Sequence, residues 1–267
     1  MPPTRPSKRS PKDFFLLVLA LAVPLWALSR FAWVIGSLKV PVTDLLLGFT
    51  PLIAATILII RADKAKGLIS FLKHSVDFRS LARTRWFWIA LGLAPLIYAL
   101  TTLCLRLLGH AGSPVVNWPL LPALAIMMFL LAIGEEAGWT GYLLDPLQRR
   151  FGALGASLII AIPWWLGHIP SIIAIGGTAM DIAWWLPGAI AMRVLMTWLY
   201  NGAGQSVLAV ILFHTMLNLG RLVSYPVIGT HYDAAYQNTG YVIAFIMAAM
   251  IVIHWRKTAY ALGATRR

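Results

Sequence analysis

Eight long apolar runs divide this chain, and each is long enough to cross the hydrocarbon core of a membrane as a helix. They fall near 14–36, 41–60, 86–107, 118–142, 153–170, 182–200, 205–223 and 240–255. No soluble core needs so much apolar surface, because 60% of the 267 residues are hydrophobic and only 12% are charged. We therefore expect an all-α, polytopic membrane helix bundle with about eight transmembrane helices.

The placement of Lys and Arg supports eight crossings with both termini in the cytoplasm. Of the 22 Lys and Arg residues, 17 fall in segments that this topology places inside. Cytoplasmic loops of membrane proteins carry such an excess. The net charge of +13 follows from topology, since the cations are dispersed between apolar runs, and nucleic-acid binding is not expected. The other five cations lie in helices or near outer ends: Arg30, Lys39, Arg106, Arg193 and Arg221.

Composition divides the chain into four regions. Residues 1–13 read as a disordered basic N-terminal tail, and 14–117 as N-terminal transmembrane helices with an inner amphipathic segment. Residues 118–222 form the core, and 223–267 the last transmembrane helix with a basic C-terminal tail. The first run, from Phe14 to about Gly36, is too long for a signal-peptide core. We expect a multi-pass integral protein of the bacterial cell inner membrane.

The only two glutamates, Glu135 and Glu136, stand side by side at the end of an apolar run. Ionisable side chains at membrane depth are costly and mark function by default. A solvated pair at a helix end is the structural alternative, but the apolar run continues to Leu144, which favours a buried site. Cys104 is the only cysteine, which excludes an internal disulfide and disfavours a cysteine-ligated metal.

Three predicted helices bring polar side chains to a similar depth. The fourth and fifth spans form a hairpin that turns at 149–152, and Glu135 and His168 each lie roughly 21–24 Å from that turn. In the seventh span, His214 and Asn218 share one helix face, roughly 14–20 Å from its start. We therefore expect a carboxylate, two imidazoles and an amide to converge inside the bundle.

This set of groups indicates hydrolysis. A carboxylate in a site of low dielectric constant can act as a general base on water. Neutral imidazoles can ligate a metal or donate to a developing oxyanion, and an amide can orient either. Because polar groups cannot face lipid, such a reaction also requires a polar cavity within the bundle.

Three motifs resemble, in their order along the chain, the CPBP intramembrane proteases. They are Gly-Glu-Glu-Ala-Gly-Trp-Thr-Gly-Tyr at 134–142, Trp164-xxx-His168 and His214-xxx-Asn218, within about 118–222. This family includes the type II CAAX prenyl endopeptidases and bacteriocin-processing or self-immunity proteins. The resemblance implies an intramembrane endopeptidase in which Glu135 activates the catalytic water and Glu136 supports it. His168, His214 and Asn218 would bind the water or a metal and stabilise the oxyanion.

The resemblance leaves the cofactor open. A zinc ion could be held by His168, His214 and Glu135, and a metal-free glutamate mechanism fits the same residues. The expected partners are the lipid bilayer and a peptide or membrane-protein substrate that enters laterally or from the inner face. A prenylated substrate does not follow from the resemblance.

One position departs from the family's first motif, E-E-x-x-x-R, because Thr140 stands where the arginine is expected. Arg193 in the sixth span is a candidate partner for Glu136, since an intramembrane arginine needs one. Snorkelling of Arg193 toward the inner surface is the alternative. The missing arginine also favours a second interpretation, a catalytically decayed CPBP-fold membrane protein that acts in immunity or partner binding. An ion-coupled carrier is a third, but the sequence lacks the inverted repeats of that class.

Small and aromatic residues near the motifs suggest packing roles. Gly134, Gly138 and Gly141 would allow another helix to approach closely. Trp164, with its neighbour Trp165, is interpreted as part of an interfacial belt or of helix packing, although it occupies the family's aromatic position.

Overall fold

Long helices form almost the whole structure, a computed structural model that describes residues 9–29, 34–35, 40–110, 118–174, 176–224 and 234–258. In chain order the helices are α1 (Pro11–Ser29), α2 (Val42–Leu47), α3 (Thr50–Ser75), α4 (Phe78–Ala82), α5 (Arg85–Leu107), α6 (Leu121–Glu136), α7 (Asp145–Gly167), α8 (Ile169–Ala174), α9 (Ala179–Gly202), α10 (Val207–Ser224) and α11 (Ala234–Thr258). A π-helix (Ala137–Leu144) joins α6 to α7, and a 3-10 turn (Trp118–Leu120) precedes α6. Two short strands, β1 (Val34–Ile35) and β2 (Val40–Pro41), pair antiparallel.

The described residues contain eight membrane crossings, as predicted. Six stretches are long and apolar enough to span a membrane: Pro11–Leu28, Leu45–Ala82, Arg85–Leu107, Trp118–Gly167, Ala179–Gly202 and Ala234–His254. The shorter apolar helix Val207–Arg221 adds a seventh. The stretch Trp118–Gly167 crosses twice, because its backbone leaves the helical conformation at Gly152. The all-α class and the multi-pass membrane character are therefore confirmed.

Two backbone breaks interrupt long helices at positions that the charge bias predicts to lie on the inner side. Gly152 has φ 70° and lies within the turn predicted at 149–152, where a positive φ is natural for glycine. In α3 the break falls at Lys64, with φ 58° and ψ −165°. It separates an apolar spanning half from a basic half that ends at Ser75. This basic half coincides with the amphipathic segment that the sequence predicts on the inner side.

Several element ends differ from the predictions. Helix α1 begins at Pro11 rather than Phe14, because the Ser10 side chain accepts a hydrogen bond from the Asp13 amide and proline suits the first helical position. The last residues of the predicted tail 1–13 are thus helical, and residues 1–8 lie outside the described ranges. Helix α11 begins at Ala234 rather than near residue 240, and α8 occupies part of the predicted connector 171–181.

Glycines on α6 and the π-helix bring the glutamate pair directly against the start of α3. A Cβ atom at Gly134 would lie 2.8 Å from the carbonyl oxygen of Gly48, and one at Gly138 would overlap the backbone of Pro51. Only glycine allows this approach at both positions. The predicted close packing is confirmed there, and it fixes the depth of Glu135 and Glu136.

Helix α9 lies at the centre of the bundle. It packs against α7 and α11, while α10 packs against α5 and α6. Its first turn is closed by a capping box between Thr178 and Asp181. In α9, 61% of the spanning window is buried, compared with 6% in α1. Arg193 lies on this helix and is buried, so its side chain faces protein rather than lipid.

Candidate active site

Glu136 accepts hydrogen bonds from three side chains on three different elements. Its Oε1 lies 2.9 Å from Nδ1 of His214 in α10, and its Oε2 lies 2.9 Å from Nη1 of Arg193 in α9. The hydroxyl of Thr140 in the π-helix donates to the same Oε2 at 2.5 Å. The Glu136 side chain is 0% exposed. A buried carboxylate is tolerated only when it is paired and hydrogen-bonded, and here both oxygens are occupied.

Arg193 supplies the cation that the motif lacks at position 140. Its guanidinium carbon lies 4.1 Å from the ring centroid of Trp164, a cation–π distance, and the residue is 2% exposed. The snorkelling alternative is wrong, because the charge is buried within the bundle. Thr140 bonds to the carboxylate oxygen that Arg193 also contacts, so Glu136 keeps a cationic neighbour from another helix.

The hydrogen bond with Glu136 determines which ring nitrogen of His214 faces Glu135. A carboxylate paired with a guanidinium accepts hydrogen bonds, which assigns the proton of the neutral ring to Nδ1. The free Nε2 then lies 4.0 Å from Oε1 of Glu135. Glu136 therefore orients the imidazole in the way that carboxylates orient metal-ligating or catalytic histidines.

Glu135 has a more open environment than its neighbour. Its Oε2 accepts a hydrogen bond of 2.6 Å from the indole Nε1 of Trp164, while its side chain remains 13% exposed. It lines a cavity, and Glu136 does not. The two adjacent carboxylates are thus physically different, since one is fully engaged and the other keeps Oε1 available for a ligand.

Trp164 is the residue whose position the sequence reasoning missed. It is 3% exposed, and its ring contacts those of His168 and His214 edge to face, with centroids 5.0 and 5.7 Å apart. The depth estimate matched Glu135 with His168, but Trp164, one turn nearer to Gly152, meets it directly. The π-helix between Glu135 and Gly152 explains the difference. Its eight residues advance less along the axis than eight α-helical residues, so Glu135 lies closer to the turn than the estimate assumed.

Trp164 and His168 form a wall between two cavities. The larger, about 160 Å³, is also lined by Glu135 and by residues of α1 and the start of α3. The smaller, about 60 Å³, is also lined by Asn218, Arg221 and residues of α9 and α11. Three of the five predicted site residues, Glu135, His168 and Asn218, therefore line a cavity. Glu136 and His214 are buried behind that surface.

His168 presents one ring nitrogen to this wall. Its Nδ1 lies 2.8 Å from the carbonyl oxygen of Trp164, four residues earlier. Because a carbonyl oxygen only accepts, the proton of the neutral ring is assigned to Nδ1, and Nε2 carries the lone pair. His168 and His214 therefore have the same arrangement, in which an oxygen atom holds Nδ1 and leaves Nε2 free.

Three of these groups lie close enough together to hold a metal ion. Glu135, Glu136 and His214 each offer one donor atom, all within 4.8 Å of one another. The sequence predicts His168, His214 and Glu135 as possible zinc ligands. Among the described residues, the group that could hold a metal contains Glu136 in place of His168. Both oxygens of Glu136 already accept hydrogen bonds, which leaves Oε1 of Glu135 and Nε2 of His214. Catalytic zinc sites use three protein ligands, so the fit to zinc is incomplete.

Eight crossings surround a buried carboxylate–imidazole cluster in the described residues. Residues 117–220 match the family model described as Type II CAAX prenyl endopeptidase Rce1-like. This match confirms the resemblance to the CPBP family over nearly the same segment as the predicted core, 118–222. CAAX prenyl protease 2 of Methanococcus maripaludis is 28% identical over 139 residues, which are 49% of this chain and 49% of that protein. The chain thus spans about half the length of this curated relative.

Proposed function

We propose that this protein is an intramembrane endopeptidase in which Glu135 activates a water molecule. The observation that carries the proposal is the 4.0 Å separation between Oε1 of Glu135 and Nε2 of His214. A water at hydrogen-bond distance from both atoms would bridge them at an angle of about 90°, which suits its two O–H bonds. The name of the Methanococcus relative supports peptide-bond hydrolysis as the reaction.

In the first step, Glu135 takes a proton from the water while the water oxygen attacks the peptide carbonyl carbon. Nε2 of His214 accepts the second hydrogen bond of the water and holds it in place. That orientation depends on Glu136, which fixes Nδ1 of the same ring at 2.9 Å. Arg193 and Thr140 in turn hold Glu136, so these side chains act through His214 and not on the substrate.

For the developing oxyanion we propose Asn218, a role that requires the substrate carbonyl to reach past the wall of Trp164 and His168 that separates Asn218 from Glu135. In their neutral forms His168 and His214 carry the proton on Nδ1, and their Nε2 atoms accept hydrogen bonds rather than donate them. The amide of Asn218 is a neutral donor and lines the smaller cavity beside His168. Protonated Glu135 then transfers its proton to the leaving amine nitrogen as the carbon–nitrogen bond breaks.

The surroundings of the larger cavity suit lateral entry of a peptide or membrane-protein substrate. Phe15, Val18 and Trp26 of α1 form one side of it, and α1 is the least buried of the six long spans. A substrate chain that passes beside α1 would reach Glu135 without crossing the buried centre around α9. The lipid bilayer is the medium from which such a substrate comes.

The proposed mechanism needs no metal. A zinc ion would find two unengaged donor atoms here, on Glu135 and His214, one fewer than the three protein ligands of catalytic zinc sites, so no step is assigned to a metal. Because two donor atoms are free in the 4.8 Å group, we expect cleavage by the purified protein to survive a strong chelator within about twofold. The measurement pairs a cleavage assay with elemental analysis. Loss of activity that added zinc restores would contradict the metal-free mechanism.

Replacing Trp164 by phenylalanine tests the role of its indole N–H. The phenylalanine ring keeps most of the aromatic packing but removes the hydrogen bond to Oε2 of Glu135. This hydrogen bond fixes the position of the Glu135 carboxylate, so its loss should misplace the base and lower kcat about tenfold or more. Trp88→Phe is the matched control, because Trp88 is 70% exposed. Equal rates for the two variants would show that the indole N–H does not assist Glu135.

Comparison of released peptides tests the proposed function directly. Membranes that contain the wild type are compared with membranes that contain Glu135→Gln, and new peptide termini are identified by mass spectrometry. Termini that appear only with the wild type support the endopeptidase. The same termini in both membranes would favour the non-catalytic alternative. The absence of the motif arginine does not itself favour that alternative, because Arg193 supplies a cation to Glu136.

A further inference from the structure

The segment that precedes α1 contacts the π-helix that follows the glutamate pair. Nη1 of Arg9 donates to the carbonyl oxygen of Gly141 at 2.6 Å and to that of Tyr142 at 3.3 Å. The amide of Ser10 donates to the Tyr142 hydroxyl at 3.3 Å. The guanidinium carbon of Arg9 also lies 5.5 Å from the Tyr142 ring centroid. These contacts join parts of the chain that are 132 residues apart.

Pro146 explains why these two carbonyl groups need a donor from outside the helix. In π-helical bonding the carbonyl of Gly141 would accept from the amide five residues later, which is position 146. In α-helical bonding the carbonyl of Tyr142 would accept from the amide four residues later, which is the same position. Proline has no amide hydrogen, so neither carbonyl can accept a hydrogen bond from position 146 at the junction with α7. One arginine nitrogen donates to both carbonyls instead.

The π-helix connects this contact to the catalytic cluster. It carries Thr140, which bonds to Glu136, and Trp139, which lines the larger cavity. Phe14 of α1 is fully buried and stacks on Tyr142, with ring centroids 5.3 Å apart, and it meets Trp139 edge to face, with ring centroids 5.5 Å apart. A change in the path of the π-helix would therefore move both the cavity wall and a partner of Glu136.

We propose that Arg9 is a positioning residue, which holds the π-helix in its catalytic path by supplying the donor that Pro146 lacks. The inference rests on the proposed peptidase function for its catalytic part, while the link between Arg9 and Pro146 is independent of that function. Because the N-terminal segment contributes Arg9, the catalytic geometry depends on residues outside the segment 117–220 that matches the family model.

A double-mutant cycle tests the link. The variants are Arg9→Gln, Pro146→Ala and the two combined, since alanine at 146 restores an amide hydrogen at the junction. Arg9→Gln should lower kcat about tenfold, equivalent to about 1.4 kcal/mol, with KM nearly unchanged. In the Pro146→Ala background the same substitution should cost less than about threefold. Arg9→Lys, which keeps a cationic donor, should retain most of the activity.

Lys12→Gln is the matched control, because it removes a cation from the same segment but Lys12 is exposed. It should leave kcat unchanged, which separates the contact from any effect of charge on membrane insertion. An equal loss for Arg9→Gln in both backgrounds, or no loss in either, would overturn the proposal. Thermal unfolding of the wild type, Arg9→Gln, Pro146→Ala and the double variant measures the coupling without any assay of cleavage. Coupling in stability but no wild-type cleavage would refute the peptidase and keep the Arg9–Pro146 link.

Discussion

Glu135→Gln is expected to reduce cleavage at least about a thousandfold while leaving the helix bundle folded. Glutamine has the size of glutamate, and its amide oxygen can still accept the hydrogen bond from Trp164. It cannot take a proton from water at neutral pH. The variant thus removes the proposed base and keeps the packing around it. Single-turnover cleavage of a peptide that the wild type cuts is the measurement.

Asp63→Asn provides the control for this experiment. It makes the same change from carboxylate to amide at an exposed position on α3, beside the break at Lys64. We expect wild-type rates from this variant and equal unfolding temperatures for all three proteins. Retained cleavage in Glu135→Gln would end the assignment of Glu135 as the base, even if the fold and the family resemblance stand.

Arg193→Gln is expected to destabilise the protein by about 3–5 kcal/mol and to eliminate cleavage. The substitution leaves the carboxylate of Glu136 buried with Thr140 and His214 as its remaining partners. An uncompensated buried charge then favours partial opening of the bundle, and His214 loses its fixed orientation. The free energy of unfolding in detergent and the cleavage rate are measured on the same preparations.

Two further variants define what this result means. Arg106→Gln removes an exposed arginine from the last turn of α5 and should change unfolding by less than about 1 kcal/mol. Thr140→Arg, introduced together with Arg193→Gln, returns the cation to the motif position and should recover part of both stability and activity. If Arg193→Gln behaves like the wild type, the buried pair has no role in folding or catalysis.

Hydropathy was sufficient to predict the helical membrane fold. Eight apolar runs and the turn that contains Gly152 are local properties of the sequence, and the described residues reproduce them. The start of α1 at Pro11 was also encoded locally, in the Ser10 cap, but the apolar run alone does not include it. Hydropathy detects the apolar part of a helix and not its polar first turn.

The residues of the candidate site were predictable from the sequence, but the contacts between them were not. Helical periodicity gives the face on which a side chain lies, but not which faces of distant helices meet. The contact of Glu136 with Arg193, 57 residues later, therefore remained one of two alternatives. The contact of Glu135 with Trp164 was missed, because the depth estimate assumed an α-helical rise through residues that form a π-helix.

The ion pair between α6 and α9 also constrains how this chain can have diverged from relatives with the motif arginine. A predecessor without a cation at either 140 or 193 would bury an uncompensated carboxylate at a cost of about 3–5 kcal/mol. A path of divergence that keeps Glu136 paired throughout gains the cation at position 193 before it loses the one at position 140. Reconstructed ancestors should then include a chain with arginine at both 140 and 193. Motif searches that require arginine at position 140 would miss chains in which another helix supplies the cation.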